Sequence, residues 1–121
     1  MRHYIGTDII EIERVRLAIK RWDKRFLNRV YTEAELQIYG DRPPALAASF
    51  ASKEAVMKML GTGARGVAWR EIEQLYHPSG KPLIKLSGEA RKTAAKLGIK
   101  EIDVSLAHSR DYATATAIGT N

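Results

Sequence analysis

The chain contains no cysteine. That excludes disulfides, thiolate metal sites and cysteine nucleophiles, and it suits a reducing compartment without requiring one. Long apolar runs are missing too. Met1 to Asp8 holds no hydrophobic stretch of signal-peptide length, and charges interrupt every later candidate for a membrane span. A cytoplasmic chain with no membrane partner is the expectation. Internal repeats and low-complexity tracts are also lacking. What remains has globular proportions: 45% hydrophobic and 28% charged residues over 121 positions. About two-thirds of the unfolded surface of such a chain can be buried, enough for one core. Residues 1–121 are therefore expected to form a single domain.

The net charge of +6 is concentrated. Between Glu13 and Arg29 seven basic residues face only two acidic ones, a net +5 within 17 residues. A patch of that kind draws an acidic partner: nucleic acid, anionic lipid or an acidic protein. Composition does not choose among the three.

His3 to Ile12 reads as a short apolar strand rich in β-branched residues. Its two-residue period puts Gly6, Asp8, Ile10 and Ile12 on one face. Asp8 thus stands among isoleucines, a costly place for a carboxylate unless something compensates its charge. From Ile12 to about Phe26 the spacing of Ile12, Val15, Ile19, Trp22 and Phe26 predicts a helix with a core stripe, with Asp23 as a candidate break. Arg14, Arg21 and Arg25 follow the same spacing beside that stripe and form an exposed ridge.

Thr32-Glu33-Ala34-Glu35 is a capping-box pattern that opens a short helix ending near Gly40. Asp41 to Pro44 is a turn, and Ala45 to Leu60 predicts the longest helix, closed by Gly61. After a loop over Gly61 to Gly66 come a strand from Trp69 to Tyr76, a turn, and a partner strand from Pro82 to Leu86. A helix from Ser87 to Leu97 follows, then a hairpin of Ile102 to Ala107 with Tyr112 to Ile118. The order predicts an α+β fold, with helices packed on a mainly antiparallel sheet.

Few residues stand out as chemical. Glu54 and Lys58 share one helix face, where a solvated ion pair at four-residue spacing is the ordinary explanation. The sharper one joins Glu54 to Asp8 as two hard oxygen ligands for Mg²⁺, with Lys53 and Lys58 lending positive charge to substrate phosphates. Gly61-Thr62-Gly63 lacks the Walker lysine and opens no βαβ unit, so it supports no nucleotide-binding motif by itself. His108 sits at a predicted hairpin, either as a surface histidine or as a phosphate contact. Trp22 and Trp69 read as core.

Together these fragments resemble the holo-[acyl-carrier-protein] synthase family of bacterial 4′-phosphopantetheinyl transferases. The resemblance rests on Gly6-Thr7-Asp8-Ile9 with Glu11 to Arg14, on Phe50-Ala51-Ser52-Lys53-Glu54-Ala55 with Lys58, and on Gly61-Thr62-Gly63. Trp69, Gly80-Lys81-Pro82 and Ser105 to Ser109 with Tyr112-Ala113 continue it to the end of the chain. One departure is Ala107, where family members often carry serine; it puts one polar contact beside His108 in doubt.

The resemblance implies transfer of the phosphopantetheine arm of coenzyme A to a serine of apo acyl carrier protein, releasing adenosine 3′,5′-bisphosphate. It implies that Asp8 and Glu54 bind Mg²⁺. On that reading Lys58 is expected to stabilise the departing bisphosphate, and the three are the expected catalytic set. Lys53, Gly61, Thr62, Gly63, Pro82 and His108 are the candidate coenzyme contacts. The family's grip on its carrier protein through arginines of the first helix implies carrier-protein contacts from Arg14, Arg21, Lys24 and Arg25. The resemblance also implies a homotrimer with active sites between subunits and a place in fatty-acid and lipid biosynthesis. The rival reading is a small basic nucleic-acid-binding domain using the same ridge on phosphates. That rival leaves Asp8, Glu54 and Lys58 without a task, and the basic helix lacks interleaved exposed aromatics.

Overall fold

The opening strand forms as β1, His3–Glu11, and its two faces differ as the period requires. Gly6 and Ile10 are buried, whereas Ile5 and Ile9 are exposed. The computed structural model describes residues 1–121, as five helices and five strands. The helix that follows β1 is cut in two. α1, Ile12–Trp22, stops at Asp23, and α2, Lys24–Val30, starts directly after it. Asp23 is the one non-glycine residue with positive φ, 45°, a region that aspartate enters more readily than most residues. The break ends α1 at Trp22, the last residue of the expected stripe on that helix. Phe26 still packs on the core, but Trp22 is 47% exposed, contrary to its expected core position.

α3, Glu33–Tyr39, carries the predicted capping box: Thr32 Oγ1 accepts the Glu35 amide and the Glu35 carboxylate accepts the Thr32 amide. α4, Pro43–Leu60, begins two residues earlier than predicted because prolines suit the first helical turn. Alanine, serine and methionine dominate it, and 12 of its 18 residues are buried. It is the central helix, covered nearly all round.

Against α4 lies a three-stranded antiparallel sheet in the order β1-β5-β4, where β4 is Glu101–His108 and β5 is Tyr112–Thr120. The register places Gly6 opposite Ala117, Asp8 opposite Ala115 and Ile10 opposite Ala113. The inward side chains of β5 are therefore small, which lets α4 sit close. A separate antiparallel hairpin joins β2, Ile72–Tyr76, to β3, Pro82–Leu86. Trp69–Glu71 is a 3₁₀ turn and not the start of that strand. α5, Gly88–Leu97, is capped from a distance by Glu71, whose carboxylate accepts the Glu89 amide at 2.8 Å. Every strand pairing is antiparallel, and the predicted α+β architecture holds. No helix is long and apolar enough to cross a membrane.

Candidate active site

Asp8 lies mid-strand on the inward face of β1, its side chain 9% exposed. It reaches α4 because Gly6, two residues earlier on the same face, has no side chain. A Cβ on Gly6 would run into the Ala55 carbonyl oxygen and come within 2.6 Å of the Met59 amide nitrogen. Glu54 and Lys58, one turn apart on α4, meet Asp8 across this contact. The Lys58 ammonium donates to Asp8 Oδ1 at 3.1 Å and to the Thr7 carbonyl at 3.1 Å. The solvated Glu54–Lys58 pair does not form; the lysine crosses to the strand instead.

Burial raises the pKa of Glu54, and the charge and hydrogen bond of Asp8 raise it further, while Lys58 and Arg14 pull it down. Two carboxylates pressed together at a partly buried place call for a cation. Their oxygens are hard donors that suit Mg²⁺. No third His, Cys, Asp or Glu gathers with them, so water and substrate oxygens would complete an octahedron, as is usual for this ion. Gly61, Thr62 and Gly63 follow α4 directly, one turn beyond Lys58. Gly61 adopts φ 78° as the helix stop, and Thr62 Oγ1 donates to the Gly63 carbonyl at 2.9 Å.

Pro82 and His108 lie elsewhere. Both line the largest cavity, about 870 Å³, between the start of α4, the β2–β3 turn and the end of β4. Asp8, Glu54 and Lys58 are not among its lining residues. This cavity adds a residue that the sequence reading missed. Arg42 lines it, with its guanidinium fixed on the Tyr39 and Ile38 carbonyls at the end of α3, each at 3.0 Å. The signal was a cation directly before Pro43-Pro44, where the chain has to turn.

Lys53 corrects an expectation. It was expected to touch substrate phosphates, but it is fully buried. Its ammonium bonds the Glu35 carboxylate at 2.7 Å, the Ile72 carbonyl at 2.6 Å and the Trp69 carbonyl at 3.2 Å. Glu35, also fully buried, accepts the Gln74 amide at 2.8 Å as well. All three ammonium protons are committed inside the core. Burial lowers the Lys53 pKa, and the charge of Glu35 opposes that shift. Lys53 ties α4 to α3 and β2 and faces no substrate.

The basic ridge is exposed as expected, with Arg14, Arg21, Lys24 and Arg25 all open to solvent. The exposed Trp22 lies between two of them: the Arg21 guanidinium is 4.9 Å and that of Arg25 5.6 Å from its ring centroid. A second cavity of about 380 Å³ opens there, lined by Trp22, Arg25, Phe26 and Arg29. The ridge thus carries an aromatic, contrary to the reading that it lacks one. Arg14 stands where the ridge meets Glu54, close enough to act on its charge.

A profile of the 4′-phosphopantetheinyl transferase superfamily matches residues 4–117. The chain belongs to that superfamily. It is 52% identical over 115 residues to a holo-[acyl-carrier-protein] synthase of Dehalococcoides mccartyi, covering 95% of this chain and 96% of the relative. The corresponding protein of Herpetosiphon aurantiacus is 47% identical over 121 residues, with 94% and 95% covered. Among solved structures, the Helicobacter pylori holo-[acyl-carrier-protein] synthase in complex with coenzyme A superposes with a TM-score of 0.88 at 29% identity, covering 96% of this chain and 99% of the other. The Neisseria meningitidis synthase gives 0.89 at 31% identity, covering 98% of each chain. The protein is an enzyme of the phosphopantetheinyl transferase class, and the nucleic-acid reading gains no support.

Proposed function

We propose that this phosphopantetheinyl transferase moves the 4′-phosphopantetheine arm of coenzyme A to a serine hydroxyl of an apo acyl carrier protein, in a Mg²⁺-dependent reaction that leaves adenosine 3′,5′-bisphosphate. The observation that carries the reading is the meeting of Asp8, Glu54 and Lys58 across the β1–α4 contact. Asp8 and Glu54 would hold the ion, which would neutralise the diphosphate. The serine oxygen attacks the phosphorus of the arm in line, its proton leaves to water, and the P–O bond to the departing bisphosphate breaks. Lys58, exposed at the rim, stabilises the charge that builds on the departing bisphosphate. Gly61, Thr62 and Gly63 border the nucleotide end from the same chain.

Pro82, His108 and Arg42 complete the coenzyme site from a neighbouring subunit; the cavity they line in one chain does not include Asp8, Glu54 or Lys58. A homotrimer with sites between subunits would bring the two sets together. Supporting it is the outward face of the sheet, where Ile5 is 67% exposed, Ile9 62% and Ile118 40%, with nothing of this chain covering them. Acyl carrier proteins are acidic, and Arg14, Arg21, Lys24 and Arg25 with Trp22 offer a surface of opposite sign. The product would serve fatty-acid and other lipid biosynthesis, and the enzyme would act in the cytoplasm.

Intact-mass spectrometry of an apo carrier protein incubated with this enzyme, coenzyme A and Mg²⁺ tests the reading. The expected gain is about 340 Da, the arm plus its phosphate joined to the serine oxygen, and EDTA should abolish it. No gain with several carrier proteins, from enzyme that remains folded, would overturn it.

A further inference from the structure

Asp8 is held by a lysine in the protein alone. A carboxylate whose side chain is only 9% exposed cannot stand unpaired beside a second carboxylate. The Lys58 ammonium meets that need by bonding Asp8 Oδ1 and the Thr7 carbonyl, both on β1 and both at 3.1 Å. Two of its three protons are thus spent on the strand. Its side chain is 53% exposed on a flexible stem near the end of α4, so it can leave without disturbing the core.

A divalent cation held between Asp8 and Glu54 would compete for the oxygen that Lys58 now occupies. Two cations at that range repel, and the fixed one is bound by two carboxylates while the other is tethered to a mobile chain. We infer that Lys58 is the resident counter-ion of the carboxylate pair: it balances Asp8 in the metal-free protein and is displaced from it when the divalent ion binds. This rests on the reading of Asp8 and Glu54 as metal ligands. Displacement frees the ammonium for an oxyanion at the same rim, so metal loading and delivery of Lys58 to the substrate become one event. Without a substrate oxyanion the released lysine has only water to bond. Metal affinity is therefore lower in the protein alone than with coenzyme A present, and the two ligands favour each other's binding.

The test measures Mn²⁺ binding by electron paramagnetic resonance on the whole protein, without coenzyme A or carrier, at fixed ionic strength. Lys58→Met keeps the bulk and removes the charge, and its soft thioether is a poor ligand for this hard ion. It should bind Mn²⁺ about tenfold more tightly than wild type, the lower end of what removing one nearby charge gives in solvent. Lys58→Arg should stay near wild type, and Asp8→Asn should lose the site. A lysine that merely supported the fold would not raise metal affinity when removed. Unchanged or weaker binding in Lys58→Met, with loss in Asp8→Asn, would overturn the counter-ion role and leave the metal ligands standing. No saturable binding in wild type or Lys58→Met would overturn both.

Discussion

Replacing Gly6 with alanine tests how the active site is assembled. The new methyl group would meet the backbone of α4: the Ala55 carbonyl oxygen, the Met59 nitrogen at 2.6 Å and the Ala55 carbonyl carbon at 3.0 Å. These atoms belong to the backbone of the last two turns of an 18-residue helix and cannot swing aside as a side-chain end can. Ordinary carbon contacts lie at about 3.5–4.0 Å, so β1 must retreat by at least about 1 Å. It takes with it the ladder to β5, in which Gly6 faces Ala117. Overpacking of this kind costs about 1–3 kcal/mol, and an unyielding backbone puts Gly6→Ala at the upper end. For a domain of this length about 3 kcal/mol lowers Tm by about 12 °C.

The sign makes the experiment decisive. Without a clash, Gly→Ala in an extended strand stabilises by about 0.4–1 kcal/mol, because the unfolded chain loses freedom. A higher or unchanged Tm would therefore refute the tight β1–α4 contact. The functional loss is worked out separately. Asp8 follows Gly6 on the same face, so a shift of about 1 Å in β1 carries its carboxylate away from Glu54, and misplacement on that scale costs about 100-fold in rate. Holo-carrier formation, followed well below the melting temperature, reads this loss. Full turnover in a destabilised variant would show that Gly6 serves packing alone.

Lys53→Met leaves Glu35 charged and unpaired in the core, at a cost of about 3–5 kcal/mol in denaturant unfolding. The surviving folded enzyme should keep its KM for coenzyme A, and a raised KM would restore Lys53 to the site. Glu54 binds its proton more tightly folded than unfolded, so its own contribution to metal-free stability is fully present below the unfolded-chain pKa and is lost as pH rises through the raised folded pKa. Glu54→Gln should therefore raise the metal-free Tm at pH 7 by the equivalent of about 1 kcal/mol, a low figure because Lys58 and solvent screen the pair. The same variant should lose the Tm gain from Mg²⁺, and a lower metal-free Tm would refute the repulsion. Arg21→Glu with Arg25→Glu should raise KM for the carrier protein at least tenfold at low salt and flatten its salt dependence. An altered KM for coenzyme A would refute the ridge assignment; Arg14 is left intact there because it also acts on Glu54.

Period and capping carried much of the fold. The alternation in β1 placed Asp8 on the buried face, and the Thr32–Glu35 box and Gly61 marked helix ends that form as read. Local pattern failed where a single backbone angle or a distant partner decided the outcome. Asp23 is legible as a break, but the spacing alone does not show that the core stripe ends before Trp22, which is exposed at the last position of α1. Lys53 and Glu54 are adjacent, and nothing local tells which faces a buried carboxylate and which faces the site. Glu35, 18 residues earlier, decides it for Lys53. Arg42 was missed for the same reason, since the cavity it lines joins segments distant in sequence.

That Asp8 does not line the cavity of His108 leads to a prediction that does not depend on how fast the enzyme turns over. If a catalytic unit takes its carboxylates from one subunit and its Arg42–His108 cavity from the next, two kinds of dead chain can repair each other. Asp8→Asn chains keep the cavity; chains carrying Arg42→Ala and His108→Ala keep the carboxylates. Mixed in equal amounts under conditions that exchange subunits, a cyclic assembly contains an intact pairing at about one site in four. Activity should recover to about a quarter of the wild-type value per site and should follow the mixing ratio with a maximum at equal parts. Mixtures without exchange should stay inactive, which excludes residual activity of either parent. A site formed within one chain has no route to recovery at any ratio, because every chain in the mixture is defective by itself. Failure to recover in particles shown to be mixed would place coenzyme binding within single chains, and the apolar face of Ile5, Ile9 and Ile118 would then need another explanation.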